Sequence, residues 1–169
     1  MADGRVLYAH EGPLHVLRYV GEIRYPLAPS VDKFVNLLLA NETVDDLVVD
    51  LSETDSIDST NLGELVRIAQ RLQERGSHRP VIISTQESIR QLLCSMCLDE
   101  IFQMTEAPAP EVPTSEEITD GEAPNRAELG SVMLEAHRSL AAVDKVNQER
   151  FCDVIALMEL EAGEVKGHS

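Results

Sequence analysis

The chain has 169 residues and a formal net charge of −16, with −7 on residues 1–104 and −9 on residues 105–169. An acidic surface repels nucleic-acid phosphates and anionic lipid headgroups, so neither nucleic acid nor a membrane is expected as a partner. No apolar run approaches the ~20 residues that cross a bilayer, the first residues do not resemble a signal peptide, and three cysteines do not suggest a disulfide framework. A cytoplasmic protein is expected.

Two short apolar runs open the chain. Residues 6–10 and 15–20 are predicted strands, and the glycine–proline pair between them is typical of a turn, so the sequence predicts an N-terminal hairpin. A helix is expected over residues 27–39, where apolar residues recur at helical spacing and Ser30 can cap the helix.

Strands and helices alternate after this point. Residues 45–50 form a β-branched run typical of a buried strand, and residues 61–73 follow with helical spacing. The remaining predicted elements are a strand at 80–84, a helix at 87–97 and a strand within 98–104. This order predicts an α/β fold with a mixed, mostly parallel sheet, packed helices and one antiparallel hairpin.

The composition changes at residue 105. Residues 105–125 contain four prolines, six acids and no Lys or Arg, which predicts an extended, disordered linker between a domain at 1–104 and a tail at 126–169. The tail has an apolar stripe typical of one helix or of a hairpin broken near 144–147. It can pack on its own domain, bind a partner or mediate self-association, and we expect a flexible connection to separate its apolar stripe from Ser59.

Ser59 and Thr60 lie where a predicted strand gives way to a helix. Unpaired N–H groups and the helix dipole favour negative charge at such a position, and a phosphoserine adds about −1.5 to −2 charges. A plain helix cap is the simpler interpretation of a Ser-Thr pair, and Asn61 with Glu64 resembles a capping box.

A family resemblance centres on this serine. Asp58-Ser59-Thr60-Asn61-Leu62-Gly63 resembles the D-S-[ST]-G-L-G motif of STAS-domain anti-sigma-factor antagonists, in which the serine after the aspartate is phosphorylated. Gly21-Glu22-Ile23 is similar to the G-E-L before the family's first helix, and the segment 97–102 is similar to its final L-D-x-I-F. The resemblance covers 4–104 and implies the STAS fold. Arg24 replaces an acid of the family, and Asn61 replaces a glycine.

The resemblance implies an anti-sigma-factor antagonist. Such a protein binds an anti-sigma factor or serine kinase while unphosphorylated, is released by phosphorylation of Ser59 or, as second choice, Thr60, and is restored by a serine phosphatase. It catalyses no reaction, and no cofactor or metal is expected. Arg24, in place of the family's acid, can change how a kinase or a metal meets the serine, or it can hold a phosphate on Ser59. The implied partner-binding residues are Glu22, Arg24, Ser56, Asp58, Ser59, Thr60, Asn61, Leu62 and Glu64.

Two alternatives belong to other functional classes. One is a STAS accessory subunit of a larger assembly, such as a phospholipid-transport complex, without a phosphoswitch. The other is a thiol oxidoreductase that uses the C-x-x-C pair Cys94 and Cys97. Packing cysteines are favoured, because this pair falls at the end of a predicted helix, where the dipole does not lower a thiol pKa, and a zinc site needs further ligands. The five histidines show no ligand spacing and are expected to be surface or packing residues.

Overall fold

The computed structural model describes residues 3–41, 43–113, 115–119 and 125–167, and it confirms the predicted α/β class. The first half contains β1 (Arg5–Glu11), β2 (Leu14–Ile23), α1 (Ala28–Asn41), β3 (Asp46–Asp50), β4 (Thr54–Ile57) and α2 (Ser59–Glu74). The second half contains β5 (Val81–Ile83), α3 (Glu87–Ser95), β6 (Gln103–Thr105), β7 (Glu116–Glu117), α4 (Arg126–Ala141) and α5 (Lys145–Gly167).

The strands form one mixed sheet in the order β6-β5-β3-β2-β1-β7. β1 and β2 form the predicted antiparallel hairpin, and β2, β3, β5 and β6 pair in parallel. The short strand β4 pairs with the end of β2, beyond an irregularity between Gly21 and Glu22. Sequence patterns did not predict β4, because its four residues are mostly polar and carry no apolar alternation.

Helix α1 begins earlier than the predicted cap at Ser30. A single 3-10 turn, Tyr25–Leu27, with proline near its start, leads directly into Ala28. Proline fixes a helical backbone angle and cannot donate an N–H group, so it favours a helix start at this point. Ser30 consequently lies inside the helix, and the prediction that it caps α1 was wrong.

The main hydrophobic core lies between the sheet and the helices. Its fully buried side chains include Leu17 and Tyr19 of β2, Leu65 of α2 and Ile82 of β5. Neighbouring positions of the same strands face the other way: Val16, Val48 and Ile83 form a smaller cluster on the opposite face. This alternation is the side-chain period of a strand, and it shows that the sheet is covered on both faces.

The described part of the predicted linker contacts the sheet at several positions. Ala109 and Val112 pack on the smaller cluster, β7 pairs antiparallel with β1, and Ile118 is buried in the main core. The backbone N–H of Ile118 also donates to the carbonyl of Val6 at 2.8 Å. These contacts come from isolated apolar residues in an acidic stretch, which give no periodic signal. The domain boundaries and the mobility of this segment stay predictions.

The tail is a helical hairpin, which decides between the two alternatives left open by its sequence. Helices α4 and α5 are separated by residues 142–144. The buried Asn147, at the start of α5, donates from Nδ2 to the carbonyls of Leu140 at 3.1 Å and Met96 at 2.8 Å. Leu140 and Phe151 join the main core. The hairpin is therefore packed on its own domain.

Candidate functional site

Ser59 is the first residue of α2, directly after the strand β4 and the extended residue Asp58. The carboxylate of Asp58 accepts from the backbone N–H of Asn61 at 3.0 Å and from its side-chain amide at 2.9 Å. Asp58 is therefore the N-cap, and the expected capping role of Asn61 was wrong. An N-cap residue has an extended backbone, and its side chain accepts a hydrogen bond from the backbone N–H of the third helical residue. Asn61 is that third residue and donates the N–H, so it is not the cap.

The hydroxyl of Ser59 contacts a histidine from the tail, 78 residues further along the chain. Ser59 Oγ lies 2.9 Å from His137 Nε2, while His137 Nδ1 lies 2.7 Å from the carbonyl oxygen of Met133. Because a carbonyl only accepts, Nδ1 donates, and in the neutral ring Nε2 accepts the hydroxyl hydrogen of Ser59. The His137 ring is buried and packs edge-on against Phe151.

Close backbone packing accompanies this hydrogen bond. A Cβ atom added to Gly63, one helical turn after Ser59, would lie 2.1 Å from the carbonyl oxygen of Ala136. Both residues are buried, and α4 makes its most extensive domain contact with α2. Helix α4 thus covers the face of α2 that carries Ser59 and Gly63. The expectation that the apolar stripe of the tail is separated from Ser59 was wrong.

The residues expected to bind a partner lie together but differ in exposure. Glu22 of β2 is in register with Ser56 of β4, and the carbonyl of Ile23 accepts from the N–H of Asp58. Arg24 is exposed, and Glu22, Ser56, Asp58 and Ser59 are half-buried. Thr60, Asn61, Leu62 and Glu64 are at most 3% exposed.

Leu62 belongs to the hydrophobic core, so its side chain is unavailable to a partner in this conformation. Glu64 belongs to a buried charge cluster that also faces inward. Its Oε2 lies 3.3 Å from Arg67 Nη1, and Asp32 of α1 pairs with both Arg67 and Arg71 at 3.0 Å. Burial, followed by the negative charge of Asp32, raises the pKa of Glu64 to about 9, against the opposing effect of the two arginines. This raised pKa favours the uncharged form of the Glu64 carboxyl near neutral pH.

The C-x-x-C pair lies at the C-terminal end of α3, as the helix predicted over residues 87–97 indicated. Cys94 is in the last turn and Cys97 follows in a left-handed conformation, and both thiols are free. The thiol of Cys97 and the carboxylates of Glu100 and Asp144 bring their ligand atoms within 4.8 Å of one another. Burial and these neighbouring acids raise the pKa of Cys97, with Arg150 opposing them. A raised pKa disfavours the thiolate that redox chemistry requires.

A family model decides the assignment of the domain. Residues 6–111, well over half of the chain, match the model of the STAS domain. The chain belongs to the STAS domain family. The match ends before α4, so the hairpin that covers Ser59 lies outside the region matched by the family model. Within the described ranges, no helix has both the length and the apolar content that a bilayer crossing requires.

Solved structures share the STAS fold with this chain. The NMR structure of the protein TM1081 matches with a TM-score of 0.54 at 24% identity, over 59% of this chain and 79% of TM1081. An anti-sigma factor antagonist from Mycobacterium paratuberculosis matches with a TM-score of 0.52 at 21% identity, over 62% of this chain and 87% of the antagonist. The antagonist SpoIIAA in its unphosphorylated form matches with a TM-score of 0.52 at 13% identity, over 62% of this chain and 89% of SpoIIAA. The phosphorylated form of SpoIIAA from Bacillus matches with a TM-score of 0.50 at 13% identity, over 60% of this chain and 90% of SpoIIAA. No curated protein sequence matches the chain.

Proposed function

We propose that this protein is an anti-sigma-factor antagonist. Its unphosphorylated STAS domain binds an anti-sigma factor or serine kinase around Ser59, and phosphorylation of Ser59 ends the binding. A serine phosphatase restores the active form. The observation that carries the proposal is the position of Ser59 as the first residue of α2, directly after its cap Asp58, within a motif like that of the antagonists. Structural neighbours that are anti-sigma factor antagonists, one of them solved in both phosphorylation states, support it.

The physical basis is the cost of adding charge to a docking surface. The N-terminus of α2 tolerates a phosphate in the free protein, because its first N–H groups and the helix dipole favour an anion. Against a partner, the same dianion must lose water and repel any acids of the docking surface. The exposed Arg24 follows Ile23, whose backbone carbonyl accepts from the backbone N–H of Asp58, so the backbone of Arg24 lies close to the cap of α2. We propose that Arg24 holds the phosphate.

Substitutions of Ser59 test the proposal by calorimetry with the anti-sigma factor purified as a separate protein. Ser59→Ala should bind at least as tightly as the parent chain and should remain bound when kinase and ATP are added. Ser59→Asp should weaken binding about tenfold or more, equivalent to about 1.4 kcal/mol. Ser131→Asp, which adds the same charge at an exposed position of α4, should leave the affinity unchanged.

Equal affinities of Ser59→Asp and the parent chain would remove the switch from the proposal. Co-purification with transporter subunits instead of an anti-sigma factor would favour the accessory-subunit function.

A further inference from the structure

We infer that the tail hairpin, defined as α4 and α5, is an intramolecular competitor for the partner-binding surface of the STAS domain. This inference rests on the proposed function, because it assigns to the tail the surface around Ser59 that the partner would use. In the closed form seen here, α4 occupies that surface. Partner binding and phosphorylation both require α4 to move away from α2.

The closed form engages the parts of the site that a partner or kinase would need. The Ser59 hydroxyl donates to His137, whose ring is only 3% exposed. A kinase must reach this hydroxyl, which is half-buried and already hydrogen-bonded to His137. At Gly63, the carbonyl of Ala136 leaves no room even for a methyl group, so no partner atom can enter between the two helices.

The hairpin is anchored away from Ser59, at the end of α3. Asn147 and Arg150, both near the start of α5, donate to the carbonyls of Met96 and Ser95 at 2.8 and 3.1 Å. Phe151, one residue further on, is buried in the core. This anchor can hold α5 on the domain while α4 leaves α2. The competitor then stays tethered beside its surface, where its effective concentration is high.

The surface of α4 suits a reversible contact with α2. It places the small residue Ala136 against Gly63 and one polar side chain, His137, against the Ser59 hydroxyl. Leu134 and Leu140 of α4 are also buried. The association constant that a partner shows for the full chain is its intrinsic association constant multiplied by the fraction of molecules that are open. Opening variants should therefore bind a partner more tightly without any change in the residues that touch it.

The test compares full-length tail variants, first in a background that carries a reporter cysteine and then in the native background. Ala136→Glu places a charge at the buried contact with Gly63, whereas the matched control Ala127→Glu adds the same charge at an exposed position of the same helix. His137→Ala is a milder second opening variant if Ala136→Glu disturbs folding. Circular dichroism and hydrogen exchange of the sheet amides verify that each variant keeps the domain folded.

The first measurement needs no partner. Ser59→Cys is introduced with Cys94, Cys97 and Cys152 replaced by serine, and the rate of reaction with N-ethylmaleimide is measured. Ala136→Glu should raise this rate about tenfold or more, and Ala127→Glu should leave it unchanged. His137→Ala is used only in the affinity measurement, because an imidazole beside a thiol also lowers the pKa of the thiol and so changes its reactivity with maleimide. Equal rates in all folded variants would show that the tail does not cover the site, and the inference would fail.

The second measurement is the affinity of the purified anti-sigma factor for the same tail variants with Ser59 and the native cysteines retained. Tighter binding by Ala136→Glu than by Ala127→Glu is the expected result. Faster maleimide labelling with equal affinities would contradict competition and leave the proposed function standing. Faster labelling with no binding by any variant would reject the proposed function. The role of the tail as a competitor would then fail as well, but the coverage of Ser59 by α4 would stand.

Discussion

Gly63→Ala is expected to detach α4 from α2, even though alanine favours a helix more than glycine does. The new methyl group would overlap the carbonyl oxygen of Ala136, and a backbone atom cannot rotate away as a side chain does. Such overpacking costs about 1–3 kcal/mol, which exceeds the gain in helix propensity of about 0.5–1 kcal/mol. Hydrogen exchange should show the amides of α4 losing protection while those of the sheet keep it.

Gly130→Ala is the matched control, because it makes the same change within a helix. Apart from its chain neighbours and the backbone of its own helix, no described atom lies within 4 Å of the position that its Cβ would occupy. Only helix propensity should act there, so Gly130→Ala should stabilise the chain by about 0.5–1 kcal/mol without opening it. If Gly63→Ala behaved like Gly130→Ala in both respects, the close approach of α2 and α4 would be disproved.

Glu64→Gln is expected to stabilise the chain at neutral and alkaline pH. The folded state holds the pKa of Glu64 at about 9, well above the value of about 4.3 of an unfolded chain. Between these values the unfolded chain has released the proton and the folded chain retains it, so the contribution of Glu64 to stability falls as pH rises. Glutamine keeps the shape without the ionisation. We expect a gain of more than about 1.4 kcal/mol at pH 7.5, the equivalent of one pKa unit.

Chemical denaturation between pH 5 and pH 9 measures this effect. The gap between Glu64→Gln and the parent chain should widen with pH and level off near the top of the range. Glu74→Gln, at an exposed position of the same helix, is the control and should follow the pH dependence of the parent. Parallel curves for Glu64→Gln and the parent would contradict the buried, uncharged state of Glu64.

The architecture could be predicted because it depends on apolar periodicity. Strands β1, β2, β3 and β5 and helices α1, α2 and α3 each carry a run that packs on the sheet, and the sequence indicated each of them. The strand β4 was not predicted, since it is held by pairing with β2 rather than by an apolar pattern. The position of a cap also depends on geometry that composition does not reveal: the wrong caps at Ser30 and Asn61 were each compatible with residue type.

The site was predictable only as far as its local sequence extends. The motif and the strand-to-helix transition indicated that Ser59 lies at the start of α2. His137 was not identified, because its contact with Ser59 depends on how the tail packs on the domain. A small residue in α2, Gly63, and another in the apolar stripe of the tail, Ala136, were the available signals for close helix packing. The inward orientation of Leu62 and Glu64 follows from the way α2 lies on the core, which the motif does not specify.

The most direct test of the central claim is phosphopeptide mapping of the full-length protein after incubation with its cognate serine kinase and ATP. The phosphorylated chain is then titrated with the anti-sigma factor. We predict a single phosphate on Ser59 and a loss of binding relative to the unphosphorylated chain. A phosphate at another residue, or unchanged binding by a chain phosphorylated on Ser59, would contradict the role of this serine as the switch.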